Sequence, residues 1–181
     1  KEKEGKKYTS ARLITKGKGD WKYGKVEVKA KLPEGRGTWP AIWMLSSDDS
    51  VKWPDMGEID IMEHVGHDPD TVFSTVHTKD YNHIKGTQVG EKKYLPTATE
   101  EFHVYSLEWD KDELRSYVDG KQYFTYENDG TGQGVWPFDK PFFLILNLAI
   151  GGGLGGQQGI DEAAFPHTFE IDYVRVYQQA E

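Results

Sequence analysis

Polar and apolar positions alternate along much of the chain. Between Lys25 and Lys31, Val26, Val28 and Ala30 fall on one side and Lys25, Glu27, Lys29 and Lys31 on the other. That period of two is what a half-buried strand requires. The pattern predicts further strands over 38–45, 57–63, 71–78, 102–109, 113–118, 122–126 and 169–177. Asp119-Gly120 is a strong hairpin signal between two of them. Residues 142–150 are apolar throughout except Asn147, as for a strand buried on both faces. No long amphipathic helix is found, and 161–165 could form a single turn. Many short strands, Gly- and Pro-rich turns, and no repeat or linker predict one all-β domain over 1–181: a two-sheet antiparallel β-sandwich.

One strand departs from simple alternation. Residues 57–63 read Gly-Glu-Ile-Asp-Ile-Met-Glu. Parity puts Glu58 and Asp60 on one face, with Ile59 and Ile61 in the core. Glu63 falls on the wrong face unless a β-bulge at Ile61-Met62 absorbs one residue and returns it beside Glu58 and Asp60. The bulge predicts a row of three carboxylates on a rigid sheet. Retaining glycoside hydrolysis needs one carboxylate nucleophile and one carboxylic acid about 5–5.5 Å apart, and a third acid between them shifts its neighbours' pKa. The alternative is an edge strand carrying charges against aggregation.

Composition narrows the partners. Aromatic residues are 13% of the 181, with six Trp and ten Tyr, a count that suits β proteins and sugar stacking. A net charge of −8 disfavours nucleic acid and anionic membranes. It also favours a neutral over a sulfated polysaccharide. There is no cysteine, hence no disulfide or thiol chemistry. No apolar stretch is long enough to span a membrane, and no signal peptide is present in the chain. His64 and His67 lack zinc-site company, so nothing points to metal catalysis.

Five segments together carry a family likeness: Gly-Thr-Trp-Pro-Ala-Ile-Trp-Met-Leu (37–45), Gly-Glu-Ile-Asp-Ile-Met-Glu-His-Val-Gly (57–66), Val-His-Thr (76–78), Trp-Pro-Phe-Asp (136–139) and Phe-Glu-Ile-Asp-Tyr-Val-Arg-Val-Tyr-Gln (169–178). The chain resembles the family 16 glycoside hydrolases, and within them the bacterial laminarinases, endo-β-1,3-glucanases. The resemblance implies a β-jelly roll of concanavalin A type with a concave cleft. It implies a catalytic row in which Glu58 is the nucleophile, Glu63 the general acid/base and Asp60 the residue that tunes them. The partner it implies is a β-glucan polysaccharide or oligosaccharide, with no cofactor for catalysis. Galactanases and mixed-linkage glucanases of the family are the neighbouring readings, although the bulged motif disfavours the dedicated lichenase type. A reading from a different class is a silent glucan-binding module.

Trp39 and Trp43 share a strand face with only Ala41 between them, so they form an aromatic platform for pyranose rings or else part of the core. Trp53, just before the acid strand, is a cleft wall or a core residue. The resemblance places His77 beside the acids. Asn147 lines the cleft or pairs with a neighbouring strand, since a buried amide needs partners. Arg12 matches a position that faces the cleft in the family; its alternative is an ordinary surface arginine. The glycine run at 151–156 lacks the Lys-Ser/Thr of a phosphate loop and is expected to be a flexible loop at the cleft edge. Leu154 stands where relatives more often carry an aromatic.

Asp172 aligns with a structural calcium ligand. Calcium takes six to eight oxygens, and some of the others would come from N-terminal groups absent here. Residue 1 is Lys, and relatives carry several more strands before this point. The expectation is therefore an N-terminally incomplete domain, with exposed apolar sheet surface that a missing N-terminal segment or a second copy covers. The family further implies a secreted or periplasmic protein.

Overall fold

A computed structural model describes residues 5–179. Its strands are β1 (Arg12–Ile14), β2 (Asp20–Trp21), β3 (Gly24–Lys31), β4 (Thr38–Ser46), β5 (Glu58–His64), β6 (Thr71–His77), β7 (Val89–Tyr94), β8 (His103–Trp109), β9 (Glu113–Val118), β10 (Lys121–Glu127), β11 (Phe142–Ile150) and β12 (Glu170–Tyr177). They form two antiparallel sheets. One has the order β1-β11-β4-β5-β6-β7, with β2 also paired to β11; the other runs β10-β9-β8-β3-β12. The expected two-sheet sandwich is the observed architecture, and the single turn expected near 161–165 is a 3-10 turn, Glu162–Ala164.

The alternating strands build the core. Val26, Val28 and Ala30 of β3 meet Ile42 and Met44 of β4, Ile59, Ile61 and Met62 of β5, and Leu144 of β11 between the sheets. The run 142–150 divides in two. Phe142–Leu146 is buried as expected, but residues 147–150 are only half-buried, because their outer face borders a cleft.

β7 escaped the sequence reading. Its stretch Val-Gly-Glu-Lys-Lys-Tyr is mostly exposed, and it forms the last strand of its sheet. Charges suit an edge strand because they discourage pairing with another chain. The acid strand β5, by contrast, lies between β4 and β6, so its acids do not guard an edge.

The strands at the opposite ends of the two sheets, β1 and β12, carry exposed apolar residues. Leu13 pairs with inward-facing Leu146 and is 61% exposed. Val174 pairs with fully buried Val28 and is 40% exposed. Leu13 of β1 and Val174 of β12 are thus exposed apolar positions beside buried ones.

Candidate active site

β5 carries the bulge that the alternation of its acids requires. Against β6, Asp60 pairs with Thr75 and Glu63 with Phe73, so Ile61 and Met62 together face the single residue Ser74. Against β4, the register slips at the same place. Ile59, Ile61 and Met62 are all buried in the core. The extra residue turns Glu63 outward, to the face that holds Glu58 and Asp60. All three acids line a cavity of about 340 Å³ together with Arg12, Trp39, Trp43 and Asn147.

Each outer acid has its own indole donor. Trp53 Nε1 donates to Glu58 Oε2 at 3.0 Å, and Trp39 Nε1 donates to Glu63 Oε1 at 2.9 Å. Asp60 lies between them, 3% exposed, and its Oδ2 has no hydrogen-bond partner. His77 Nε2 stands 3.4 Å from Asp60 Oδ2 and 3.8 Å from Glu58 Oε1, which puts His77 beside the acids as the family likeness implies.

Burial and mutual repulsion govern the protons. Burial first, then the charge of Glu63, pushes the Glu58 carboxyl up to about 7, against the Trp53 N–H and the Arg12 cation. Burial raises Asp60 well above the usual carboxylate range, with Glu58 and Glu63 adding to the effect. Burial also raises Glu63, while the Trp39 hydrogen bond opposes it. Three charges do not coexist here near neutrality, so the protons belong to the group. Asp60, the least solvated and facing both neighbours, is the natural neutral member. Of the outer pair, only Glu58 has Arg12 nearby, which makes it the better seat for the negative charge. His77 is pushed down to about 4 by burial and by His83, so it is an uncharged neighbour at neutral pH.

Among the described residues, Glu58, Asp60 and His77 are the group whose ligand atoms converge closely enough for a metal ion, all within 4.8 Å. Asp172 makes no such group. It sits at a register slip in β12, and its carboxylate pairs with Lys29 Nζ at 2.8 Å.

The remaining candidates resolve by position. Trp43 Nε1 donates to Asn147 Oδ1 at 2.6 Å. Asn147 both pairs with Arg12 and Ala41 in the sheet and lines the cavity. The Arg12 guanidinium lies 4.8 Å from the Trp43 ring centroid, so one indole face is already covered. Trp39 and Trp43 are wall residues, half-buried, and not core. Trp53 does not line the cavity. Its ring centroid lies 4.9 Å from that of His83, with the planes tilted by 34°, and no periodicity or motif marks His83.

The glycine run corrects the expectation of a flexible loop. Residues Gly152–Gly155 form one helical turn. A Cβ on Gly155 would lie 2.8 Å from Trp39 Cβ, and one on Gly152, at φ +74°, would lie 3.3 Å from the Trp39 ring. The glycines allow the turn to pack directly on Trp39. No local signal in the sequence names that partner.

Known proteins share this chain's sequence and fold. The family model described as glycosyl hydrolases family 16 matches residues 3–175. A β-glucanase of Rhodothermus marinus is 54% identical over 98% of this chain, which spans 65% of that relative's length. The crystal structure of the laminarinase from Rhodothermus marinus superposes with a TM-score of 0.97 at 52% identity, covering 100% of this chain and 75% of that one. A complex of SCLam, a non-specific endo-β-1,3(4)-glucanase co-crystallised with 1,3-β-D-cellotriosyl-glucose, gives a TM-score of 0.90 at 54% identity, covering 93% and 65%.

Proposed function

The chain belongs to glycosyl hydrolases family 16, and from that premise we propose that it cleaves β-1,3-glucan internally with retention of anomeric configuration. The observation that carries the proposal is the bulge in β5, which sets Glu63 on the face of Glu58 while giving each acid a separate indole donor. Laminarinase and β-glucanase relatives that align over nearly the whole chain support the choice of substrate.

The geometry suits double displacement. A Glu58 carboxylate oxygen bonds to the anomeric carbon while Glu63 hands its proton to the departing glycosidic oxygen. Water then loses a proton to Glu63 and attacks the same carbon, breaking the bond to Glu58. Two inversions restore the β configuration. Arg12 and Trp53 favour charge on Glu58 before attack, and neutral Asp60 keeps the row from carrying a third charge. Trp39 and Trp43 offer apolar ring surface to pyranose C–H faces.

A polymeric glucan is met outside the cell, so the working protein is placed in secreted or periplasmic space. A structural calcium at Asp172 would need further oxygen ligands beside its carboxylate and displacement of Lys29. The exposed apolar residues of β1 and β12 are a place for a covering segment or a second copy.

The test is release of reducing ends from laminarin, lichenan and agarose side by side, with the anomer of the first product followed by NMR. Laminarin is expected to lead, with the β-anomer formed first. An α-anomer would overturn retention. Agarose as the best substrate would move the protein to the galactanases. Laminarin binding without turnover would support the glucan-binding module.

A further inference from the structure

The bulge leaves a problem on the inner side of β5. An extra residue disrupts the ladder, so backbone groups at the bulge need other partners. Those partners come from a polar group that crosses an otherwise apolar core. Ser74, 1% exposed and opposite the bulge on β6, donates from Oγ to the Asp60 carbonyl at 2.8 Å. Ser74 Oγ also lies 2.7 Å from Ser116 Oγ. With the Ser74 proton engaged, Ser116 is the donor of that second bond. Ser116 is 1% exposed and belongs to β9, in the opposite sheet. Tyr123 of β10, also in the opposite sheet, donates from its hydroxyl to the Ile61 carbonyl at 3.4 Å. The two successive carbonyls that flank Ile61, those of Asp60 and of Ile61 itself, are thus both held from beneath, and two hydroxyls of the far sheet take part.

Burying hydroxyls between two sheets is costly unless they are paired, and apolar side chains would fill this layer at less risk. The bonds converge on the two peptide units around Ile61, at the bulge, whose geometry decides where Glu63 lands relative to Glu58. We propose that Ser74, Ser116 and Tyr123 are positioning residues: a polar tether that fixes the bulge and so sets the spacing of the two catalytic glutamates. Ser74 and Tyr123 hold the carbonyls, and Ser116 anchors Ser74 to the far sheet. None of the three touches the cavity that the acids line, so each acts only through the backbone of β5. A displacement of about 1 Å at a reacting group costs about a hundredfold in rate, so small slack in this step is enough to be measured.

This inference rests on the glucanase reading, so wild-type turnover of laminarin is measured first and tests that reading alone. The variants are Ser74→Ala, Ser116→Ala and Tyr123→Phe. Tyr126→Phe is the control, because it removes a tyrosine hydroxyl of the same strand that donates to the remote Val135 carbonyl. For the tether variants, kcat is expected to fall about tenfold or more, with KM little changed and the pH–rate limbs shifted. The control should show neither effect. NMR titration of the labelled Glu58 and Glu63 carboxyls gives a readout free of substrate, in which the tether variants should shift both curves and the control neither. The proposal is overturned if kcat per folded molecule, pH profile and carboxyl titrations match wild type in Tyr123→Phe and in whichever serine variants fold. Tyr123→Phe removes only the hydroxyl that reaches the Ile61 carbonyl and Ser74 from a half-buried residue, so it decides the matter even where the serine variants do not fold.

Discussion

The Trp39 indole N–H donates to Glu63 Oε1 at 2.9 Å, so one residue both walls the cleft and holds the proposed general acid. The bond opposes the burial that raises the Glu63 carboxyl. Trp39→Phe keeps an aromatic surface and removes the donor, which raises the Glu63 pKa further. Glu63 must be protonated for the first step, and activity fades as pH rises through its pKa. The alkaline limb of kcat/KM is therefore expected to move to higher pH in Trp39→Phe. A limb that stays in place or moves down would show that the bond does not tune the acid.

Glu58→Gln and Glu63→Gln should each abolish hydrolysis while sparing oligosaccharide binding, because the amides keep shape and lose charge or proton. Glu63→Ala should regain turnover on a substrate with a good leaving group, and added azide should then yield a β-glycosyl azide. An α-glycosyl azide from Glu63→Ala would reverse the assigned roles.

Stability should report the same burial. The Glu58 carboxyl titrates near its ordinary 4.5 in the unfolded chain and at about 7 in the fold. A carboxyl raised by folding contributes stability that is full below the unfolded pKa and lost as pH climbs through the folded one. Glu58→Gln removes that penalty. The variant should be no more stable than wild type at pH 4, and should gain progressively from about 4.5 to 7, by at most on the order of 3 kcal/mol. His77, pushed down to about 4, acts with the opposite sign and is common to both proteins, so their difference reports Glu58 together with the relief its loss gives Asp60. Chemical denaturation of the two at pH 4, 5, 6, 7 and 8 measures it, and a constant difference across that range would refute the account.

Much of this site could be read from strand parity. Glu58 and Asp60 agree in phase, Glu63 does not, and the bulge that reconciles them is present. Parity also joined Trp39 to Trp43. What it could not supply were contacts across the sequence: Trp39 to Glu63, Trp43 to Asn147, and His83 against Trp53. These depend on how strands stack, and no local period encodes that. β7 was missed for another reason. An edge strand that is mostly exposed carries no apolar alternation, because it has little core to face. The glycine run was misread because glycine signals permitted close approach as well as flexibility, and the neighbour that makes use of it lies over a hundred positions away.

That close approach gives a sharp test. The turn Gly152–Gly155 is tied to the start of β4 by the bond from Gly151 N to the Gly37 carbonyl at 2.7 Å. Gly155 rests against Trp39 so closely that an added Cβ would sit 2.8 Å from Trp39 Cβ. Neither atom can swing away, since both are fixed by their backbones. Gly155→Ala must therefore lift the turn or push Trp39, and Trp39 carries the hydrogen bond to Glu63. Gly153 offers the matched control, because a Cβ there meets nothing within 4 Å and alanine is the better helix former by about 1 kcal/mol. Gly155→Ala should lower kcat by about tenfold to a hundredfold, the scale of a small misplacement at a catalytic group, and should move the alkaline limb in the direction of Trp39→Phe. Gly153→Ala should leave both unchanged. Equal kcat in the two alanine variants would mean that β4 alone holds Trp39 in place and that the turn adds nothing to the acid's geometry.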